Sequence, residues 1–220
     1  MRRKLLLFGA GAFAEIAHYY FREDSPYEPT AFVVDGTHLR ETNYHGLPVI
    51  AWEEAVERFP ARDHDFFVAL GLHRLNQTRA EKVAMVEANG YRVASFVSSK
   101  ATVPRDLAIG PNTMIMEHTG IQPYTQVGRN TIIWGMTRVA FRTRIGNHCW
   151  LVSAAIGESC TIDDHTFIGL NATIGPHVHV AARNLVGAGA VLTQSTQPDQ
   201  VFRGMVSRAS RVPSYRLRLD

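Results

Sequence analysis

The chain is poor in several things that would place it quickly. Its 220 residues include only two cysteines, Cys149 and Cys160. That is too few for a disulfide framework, and a metal site would need His or Cys partners at ligand spacing, so no metal is expected. No apolar run approaches the ~18–20 residues of a membrane span. The opening MRRKLLLFGAGAFAE is basic and then apolar, but the apolar part is short and leads into glycines. It reads as a first β-strand, not a signal peptide, and a cytoplasmic protein is expected. No strip of interleaved aromatic and basic residues marks a nucleic-acid surface.

Lysine is missing after Lys100. Residues 1–100 hold 12 Lys and Arg against 13 Asp and Glu, whereas residues 101–220 hold 11 against 7, all 11 being Arg. Five of these (Arg203, Arg208, Arg211, Arg216 and Arg218) crowd the end of the chain. Such an end suits phosphates or other anionic ligands, or is a solvated tail.

What is present is a repeat. From Val103, stepping by six, the residues are Ile109, Ile115, Ile121, Val127, Ile133, Val139, Ile145 and Leu151. After one step of five the series resumes at Ile156 and continues through Ile162, Ile168, Ile174, Val180, Val186 and Leu192. The fourth residue after each aliphatic one is small in nearly every turn, as in Thr113, Thr131, Thr143, Cys149, Cys160, Thr166 and Ala172. The residue just after it is often glycine, as in Gly110, Gly128, Gly146, Gly157, Gly169, Gly175 and Gly187. A helix recurs every 3.6 residues and cannot use a period of six. A coil with three short flat sides can. Each side points one aliphatic and one small residue inward, glycine eases the corner, and successive coils stack at the strand spacing of about 4.8 Å. The pattern predicts a left-handed parallel β-helix of hexapeptide repeats. Cys149 and Cys160 fall on the small inward phase and are expected to be packing residues.

The first half alternates strands with helices, which implies a parallel sheet. KLLLFGAGAFAEIAHYYF reads as strand, glycine turn and helix. AFVVDG and DFFVALG are further strands, TRAEKVAMVEANG is a helix, and YRVASFV closes the unit. Gly9-Ala10-Gly11-Ala12-Phe13-Ala14 matches the G-x-G-x-x-A turn, and Asp35 stands where a ribose-binding acid would. About 97 residues make only half of a dinucleotide fold. A mononucleotide or a nucleotide-linked substrate is therefore favoured over NAD, with a ligand-free tight turn as the plain alternative. After the third strand, Gly71, Arg74, Asn76 and Arg79 lie where open α/β sheets bind ligands, and they suit a phosphate, a sugar or a helix cap. The expected organisation is a half-Rossmann α/β unit over 1–97, the β-helix over 98–196, and an Arg-rich tail over 197–220.

This pairing resembles the sialic acid O-acetyltransferase family of bacterial sugar O- and N-acyltransferases, which includes the bacillosamine- and perosamine-type N-acetyltransferases. The likeness is carried by LLLFGAGAFAE, GLHRLNQTRAEK (71–82), SFVSSKATV (95–103), GIQPYTQVG (120–128), IGNHCW (145–150), FIGLNATIG (167–175) and VGAGAVLT (186–193). It implies a homotrimer without nucleic-acid or membrane partners. It also implies a sugar nucleotide held by the first unit, and acetyl-CoA or another acyl-CoA lying along the β-helix between subunits. The sugar's amine or hydroxyl attacks the thioester with a His as general base. By the resemblance Gly9, Gly11, Phe13 and Asp35 lie on the nucleotide side. Ser153, Gly169, Asn171, Ala172, Gly187, Ala188 and Gly189 lie on the coenzyme side, with Arg203 meeting the coenzyme's phosphates.

The expected base is missing. The family's GHH segment falls on Ala140-Phe141-Arg142, so Phe141 stands in the His position, and the next turn is the shortened one. His118, His148, His165 and Glu158 are the replacement candidates, with His177 and His179 also among the histidines of the repeat. His148 and His165 are expected to stack on one outer face. The alternative is a β-helix that keeps its scaffold without acyl transfer.

Overall fold

The computed structural model describes residues 2–207, 209, 211 and 214–216. From residue 96 to 202 the chain winds into a three-sided β-helix of two-residue parallel strands. Side I stacks Phe96–Val97, Met114–Ile115, Ile132–Ile133, Trp150–Leu151, Phe167–Ile168, Leu185–Val186 and Val201–Phe202. Side II runs from Gly120–Ile121 to Val191–Leu192, and side III from Ala108–Ile109 to His179–Val180. The second residue of each strand in the repeat points inward and is buried from Ile115 to Leu192, while Val103 and Ile109 in the opening turns are only partly buried. The five-residue step does not break this column. Leu151 still pairs with Ile168, Val139 with Ile156, and Ile145 with Ile162. The lost residue comes out of the turn Val152-Ser153-Ala154, which has three residues where the other turns of the repeat have four, and not out of a strand.

The small inward phase has a polar reason as well as a steric one. Thr113, Thr131 and Thr143 donate through Oγ1 to the corner carbonyls of Gly128 (2.8 Å), Gly146 (2.9 Å) and Gly157 (3.0 Å), each in the same corner of the next coil. Cys149 and Cys160 make the same bond with sulfur, to Asp163 O at 3.2 Å and Gly175 O at 3.1 Å. A buried carbonyl is thereby satisfied. Both thiols are buried, which pushes Cys149 up to about 12 and raises Cys160 as well. Neither is a nucleophile at neutral pH.

The repeat glycines ease the corner without taking left-handed backbone themselves. Left-handed backbone occurs two residues later, at Asn112, His118, Tyr124, Asn130, Met136, Arg142, His148, Ser153, Ser159, His165, Asn171, His177 and Arg183. The repeat glycines are required by contact instead. A Cβ on Gly110 would lie 2.4 Å from Arg129 Cα, and one on Gly128 2.5 Å from Gly146 O. The corner must let the next coil's backbone pass.

The first half forms an α/β unit: β1 Arg3–Phe8, α1 Ala12–Glu23, β2 Tyr27–Val34, β3 Asn43–Tyr44, β4 Leu47–Ala51, α2 Trp52–Arg58, β5 His64–Val68, α3 Gln77–Ala88 and β6 Arg92–Val93. The sheet order is β3-β4-β2-β1-β5-β6, and only β3 is antiparallel. YRVASFV is split, because Arg92–Val93 ends this sheet while Phe96–Val97 begins side I. Near the start of β5 Asp65 is fully buried. Burial pushes its carboxyl up, but Arg3 (2.7 Å) and Arg92 (2.8 Å) bring it below the usual range. The unit packs on side I, whose outward residues Met114, Ile132 and Trp150 are buried against Phe13, Ala17, Phe21 and Phe67.

Gly110→Ala is expected to cost about 2 kcal/mol or more, because the intruding Cβ meets backbone that cannot rotate away. Gly71→Ala, where nothing lies within 4 Å, is expected to stay within about 0.5 kcal/mol. Denaturant melts of the two variants check the contrast.

Candidate functional site

Two regions gather the candidate residues. The first is a cavity of about 530 Å³ at the carboxyl ends of β1, β2 and β5, bounded by Gly9, Asp35, Gly71, His73 and Thr78. It lies where parallel sheets bind ligands. Gly9 has φ 122°, and a Cβ there would lie 2.8 Å from Ala69 O, so this glycine is needed by the neighbouring strand. Gly11 precedes α1 with open space where a Cβ would stand, and no side chain caps the helix. The first-turn amides of α1 are thus unobstructed by their own cap residue. Asp35 is not a free acid, because Lys82 of α3 holds it at 2.5 Å.

Other nucleotide-side candidates sit elsewhere. Phe13 is buried, its ring 4.9 Å from that of Trp150. Arg74 is exposed and paired with Glu81 at 3.3 Å. Arg79 and Asn76 are fully buried and cannot reach a ligand. The Arg79 guanidinium donates to Asn130 Oδ1 (2.8 Å), Asn130 O (2.9 Å) and Leu70 O (3.2 Å), and it lies 5.0 Å from the Trp150 ring centroid. Asn76 Nδ2 donates to His148 O at 2.7 Å. Both residues fasten the α/β unit to the β-helix. Burial without a carboxylate partner pulls Arg79 down to about 9, still charged at neutral pH.

His148 and His165 belong to that junction, at the edge between sides III and I. Their rings stack at 4.6 Å as the repeat predicts. His148 Nδ1 pairs with Asn130 Nδ2 at 2.8 Å, and His165 Nδ1 with Leu75 O at 2.9 Å. Three successive residues, Arg74, Leu75 and Asn76, have φ of 51°, 47° and 66°. These contacts hold that unfavourable run of left-handed backbone in place. Burial, and then the neighbouring His165, lower His148 to about 4.

The second region is the edge between sides I and II. It carries His118, Met136, Ser153, Gly169, Asn171, Gly187, Ala188 and Gly189 in successive coils, with Ala172 beside it and Arg203 in the turn after the last strand of side I. At the shortened turn lies a groove of about 430 Å³ lined by His118, Arg138, Ser153, Asn171 and Ala172. Every coenzyme-side candidate is therefore on the edge that also bears His118. Toward its end this edge becomes poor in side chains, in the turn Gly187-Ala188-Gly189-Ala190, and a Cβ on Gly169 in the turn before it would meet Ala188 N at 2.8 Å. Glu158 and Phe141 lie on the opposite edge, between sides II and III. Phe141 is 40% exposed, and its N–H donates to Gln122 Oε1. His177 is on that edge too, while His179 is a side III residue paired with Asp163 at 2.7 Å. Of the terminal arginines, Arg208 and Arg218 lie outside the described residues.

Sequence reasoning missed the turn-to-unit staple and the cavity beside α1 described below. A signal for the covered side was available: the outward residue of every third hexad is large and apolar (Met114, Ile132, Trp150, Phe167, Leu185). Among the described residues no group of three or more His, Cys, Asp or Glu is placed to hold a metal ion, and no helix is long and apolar enough to cross a membrane.

The fold is shared with known proteins. The acetyltransferase domain of PglB from Neisseria gonorrhoeae superposes with a TM-score of 0.82 at 20% identity, covering 92% of this chain and 97% of that one. PerB from Caulobacter crescentus, solved with CoA and GDP-perosamine, gives 0.80 at 22% identity, covering 91% and 94%. These likenesses show that the short parallel strands fit the left-handed β-helix of hexapeptide-repeat acyltransferases. By sequence, the chain is 28% identical over 107 residues to an acyl-[acyl-carrier-protein]–UDP-N-acetylglucosamine O-acyltransferase of Nautilia profundicola, covering 45% of this chain and 41% of that protein. It is 25% identical over 199 residues to the mitochondrial γ carbonic anhydrase 1 of Arabidopsis thaliana, covering 82% and 67%. The chain thus spans about two fifths of one relative and two thirds of the other. Their named chemistries differ, so the shared repeat carries the fold and not a reaction. No family model matches the chain.

A pH dependence follows from the His148 junction. Unfolded His148 takes its proton near 6.5, the folded residue only at about 4. Between those values the unfolded chain binds more protons, so this group lowers stability as pH falls from about 6.5 toward 4. Asp164 opposes the effect, and His165, Arg79 and Arg129 reinforce it. His148→Asn is expected to flatten the fall of Tm between pH 7 and 4.5, as read by thermal melts. An unchanged slope contradicts the assignment.

Proposed function

We propose that the protein is an acyl-CoA-dependent acyltransferase acting on the amine or hydroxyl of a nucleotide-linked sugar or related small molecule. The carrying observation is the edge between sides I and II. One groove there places His118 against Ser153, Asn171 and Ala172, below a run of side-chain-poor turns that an extended thioester arm can follow. The cavity at the β1–α1 turn supports the nucleotide side. Its neighbouring helix start offers uncapped N–H groups, which favour phosphate oxygens. The solved complex of PerB with CoA and GDP-perosamine supports the same pair of ligands.

In this reading acetyl-CoA or a longer acyl-CoA lies along the edge, its phosphates toward Arg203. The acceptor's nitrogen or oxygen forms the new bond to the acyl carbon, and the C–S bond breaks. The proton removed from the acceptor ends on the departing sulfur, giving free CoA and an amide or ester. His118 is the base favoured by position, since imidazole is suited to proton transfer near neutral pH. His148 is held uncharged inside the junction, His165 is tied to Leu75 O, and Glu158 stands on another edge. The α/β unit reads as half of a Rossmann fold and the assembly as a homotrimer.

Thiol release from acetyl-CoA with a panel of amino-sugar nucleotides tests the reading. His118→Ala is expected to lower kcat/KM by about 100-fold or more, with CoA affinity by calorimetry changed less than about 3-fold. No thiol release with any acyl-CoA, together with no heat of CoA binding, overturns it in favour of a scaffold.

A further inference from the structure

Between the flank of α1 and the first coils lies a cavity of about 530 Å³ that none of the candidate residues above explains, apart from Ser153 at its mouth. That volume falls within the ~300–1,000 Å³ of small-ligand sites. Its walls are Ile16, Tyr19 and Tyr20 of α1 with Met116, Trp134 and Met136 of the β-helix. Its two carboxylates are already engaged. Glu117 accepts from the Tyr20 hydroxyl, and Glu15 faces His45 at 3.4 Å. What remains for a guest is mostly apolar and aromatic surface.

Position gives this cavity its meaning. It shares Met136 and Ser153 with the groove at the shortened turn. The coenzyme-side residues run down one edge from Arg203 through Gly187–Gly189 and Asn171 to Ser153. Beyond Ser153, in the same direction, the edge opens into this cavity. Resting on the acyltransferase reading above, we infer that the cavity takes the acyl chain, and that the group transferred is an aliphatic acyl chain longer than acetyl. A thioester carbonyl held in the groove near His118 directs its alkyl tail past Met136 toward Trp134 and Ile16. Met side chains suit such a guest, because they adapt to irregular apolar shapes. The bond changes are those of any transfer: the acyl carbon leaves sulfur for the acceptor's nitrogen or oxygen, and the chain in the cavity is untouched. The shortened turn has a role here, since a regular four-residue turn in place of these three would put another residue where groove and cavity join.

The test compares CoA thioesters from acetyl to octanoyl with the full chain. Burying a methylene strengthens binding by up to about 4-fold. The expected result is therefore a kcat/KM for hexanoyl-CoA at least about 10-fold above that for acetyl-CoA, and hexanoyl-CoA binding at least about 10-fold tighter than CoA itself by calorimetry. Ile16→Trp fills the cavity and is expected to lower the hexanoyl-to-acetyl ratio by about 10-fold or more. The wild-type profile and the binding comparison stand without that variant if it does not fold. Efficient acetyl transfer with no gain from longer chains overturns this inference and leaves the acyltransferase reading intact. Loss of all transfer and all CoA binding overturns both. Tight binding of hexanoyl-CoA that is unaffected in folded Ile16→Trp places the chain elsewhere and also overturns it.

Discussion

The close stacking of one coil on the next is the constraint on which the rest of the molecule depends. With strands about 4.8 Å apart, each inward Ile or Val sits directly on the aliphatic residue one coil away, and the corner of one coil nearly touches the backbone of the next. That closeness explains the glycines after the aliphatic positions. It also explains the threonines and cysteines, which can reach a buried corner carbonyl and satisfy it. The five-residue step respects the same constraint, because only a turn can lose a residue without unpairing the column of side chains.

A stack of this kind has three outer sides, and they are used differently. Side I is apolar outside and lies under the α/β unit. The two edges that border it differ. The edge toward side III is a junction, where Arg79, Asn76 and the loop before α3 are fixed to Asn130, His148 and His165. The edge toward side II is open, poor in side chains near its end, and hollowed at the short turn. Arg79 is the most exacting element of the junction. Its charge is buried with carbonyl and amide oxygens as partners and no carboxylate, so truncating Asn130 would leave a buried cation with two backbone acceptors and one N–H unpaired.

Much of this was legible from residues in order. The hexad phase identified the β-helix, its inward column, the packing role of Cys149 and Cys160, and the stacked pair His148 and His165. The glycine turn and Asp35 marked the cavity at the end of β1. Legibility failed where a residue's role depends on a distant part of the chain. Arg79 and Asn76 have the composition of a phosphate site, but the Arg79 guanidinium and the Asn76 amide nitrogen donate to Asn130 and His148, remote in sequence. Asp35 has the place of a ribose-binding acid, but Lys82 reaches it from α3. The corner glycines ease the turn by supplying clearance, while residues such as Asn, His and Ser adopt its left-handed angles, a division that depends on the neighbouring coil.

The feature that most disturbs the repeat shows the division between the two levels. Sequence by itself determined that a residue is missing between Leu151 and Ile156 and that the solenoid continues, because a strict period exposes any departure from it. Only the tertiary structure decided what the missing residue does. The three sides map sequence positions 17 or 18 apart onto one edge, and that mapping sets Ser153 beside His118, Asn171 and Met136. It also sets α1, more than a hundred residues earlier, across the gap. A period specifies what lies above and below a residue; the docking of the α/β unit on side I, through apolar burial and one buried guanidinium, specifies what lies opposite.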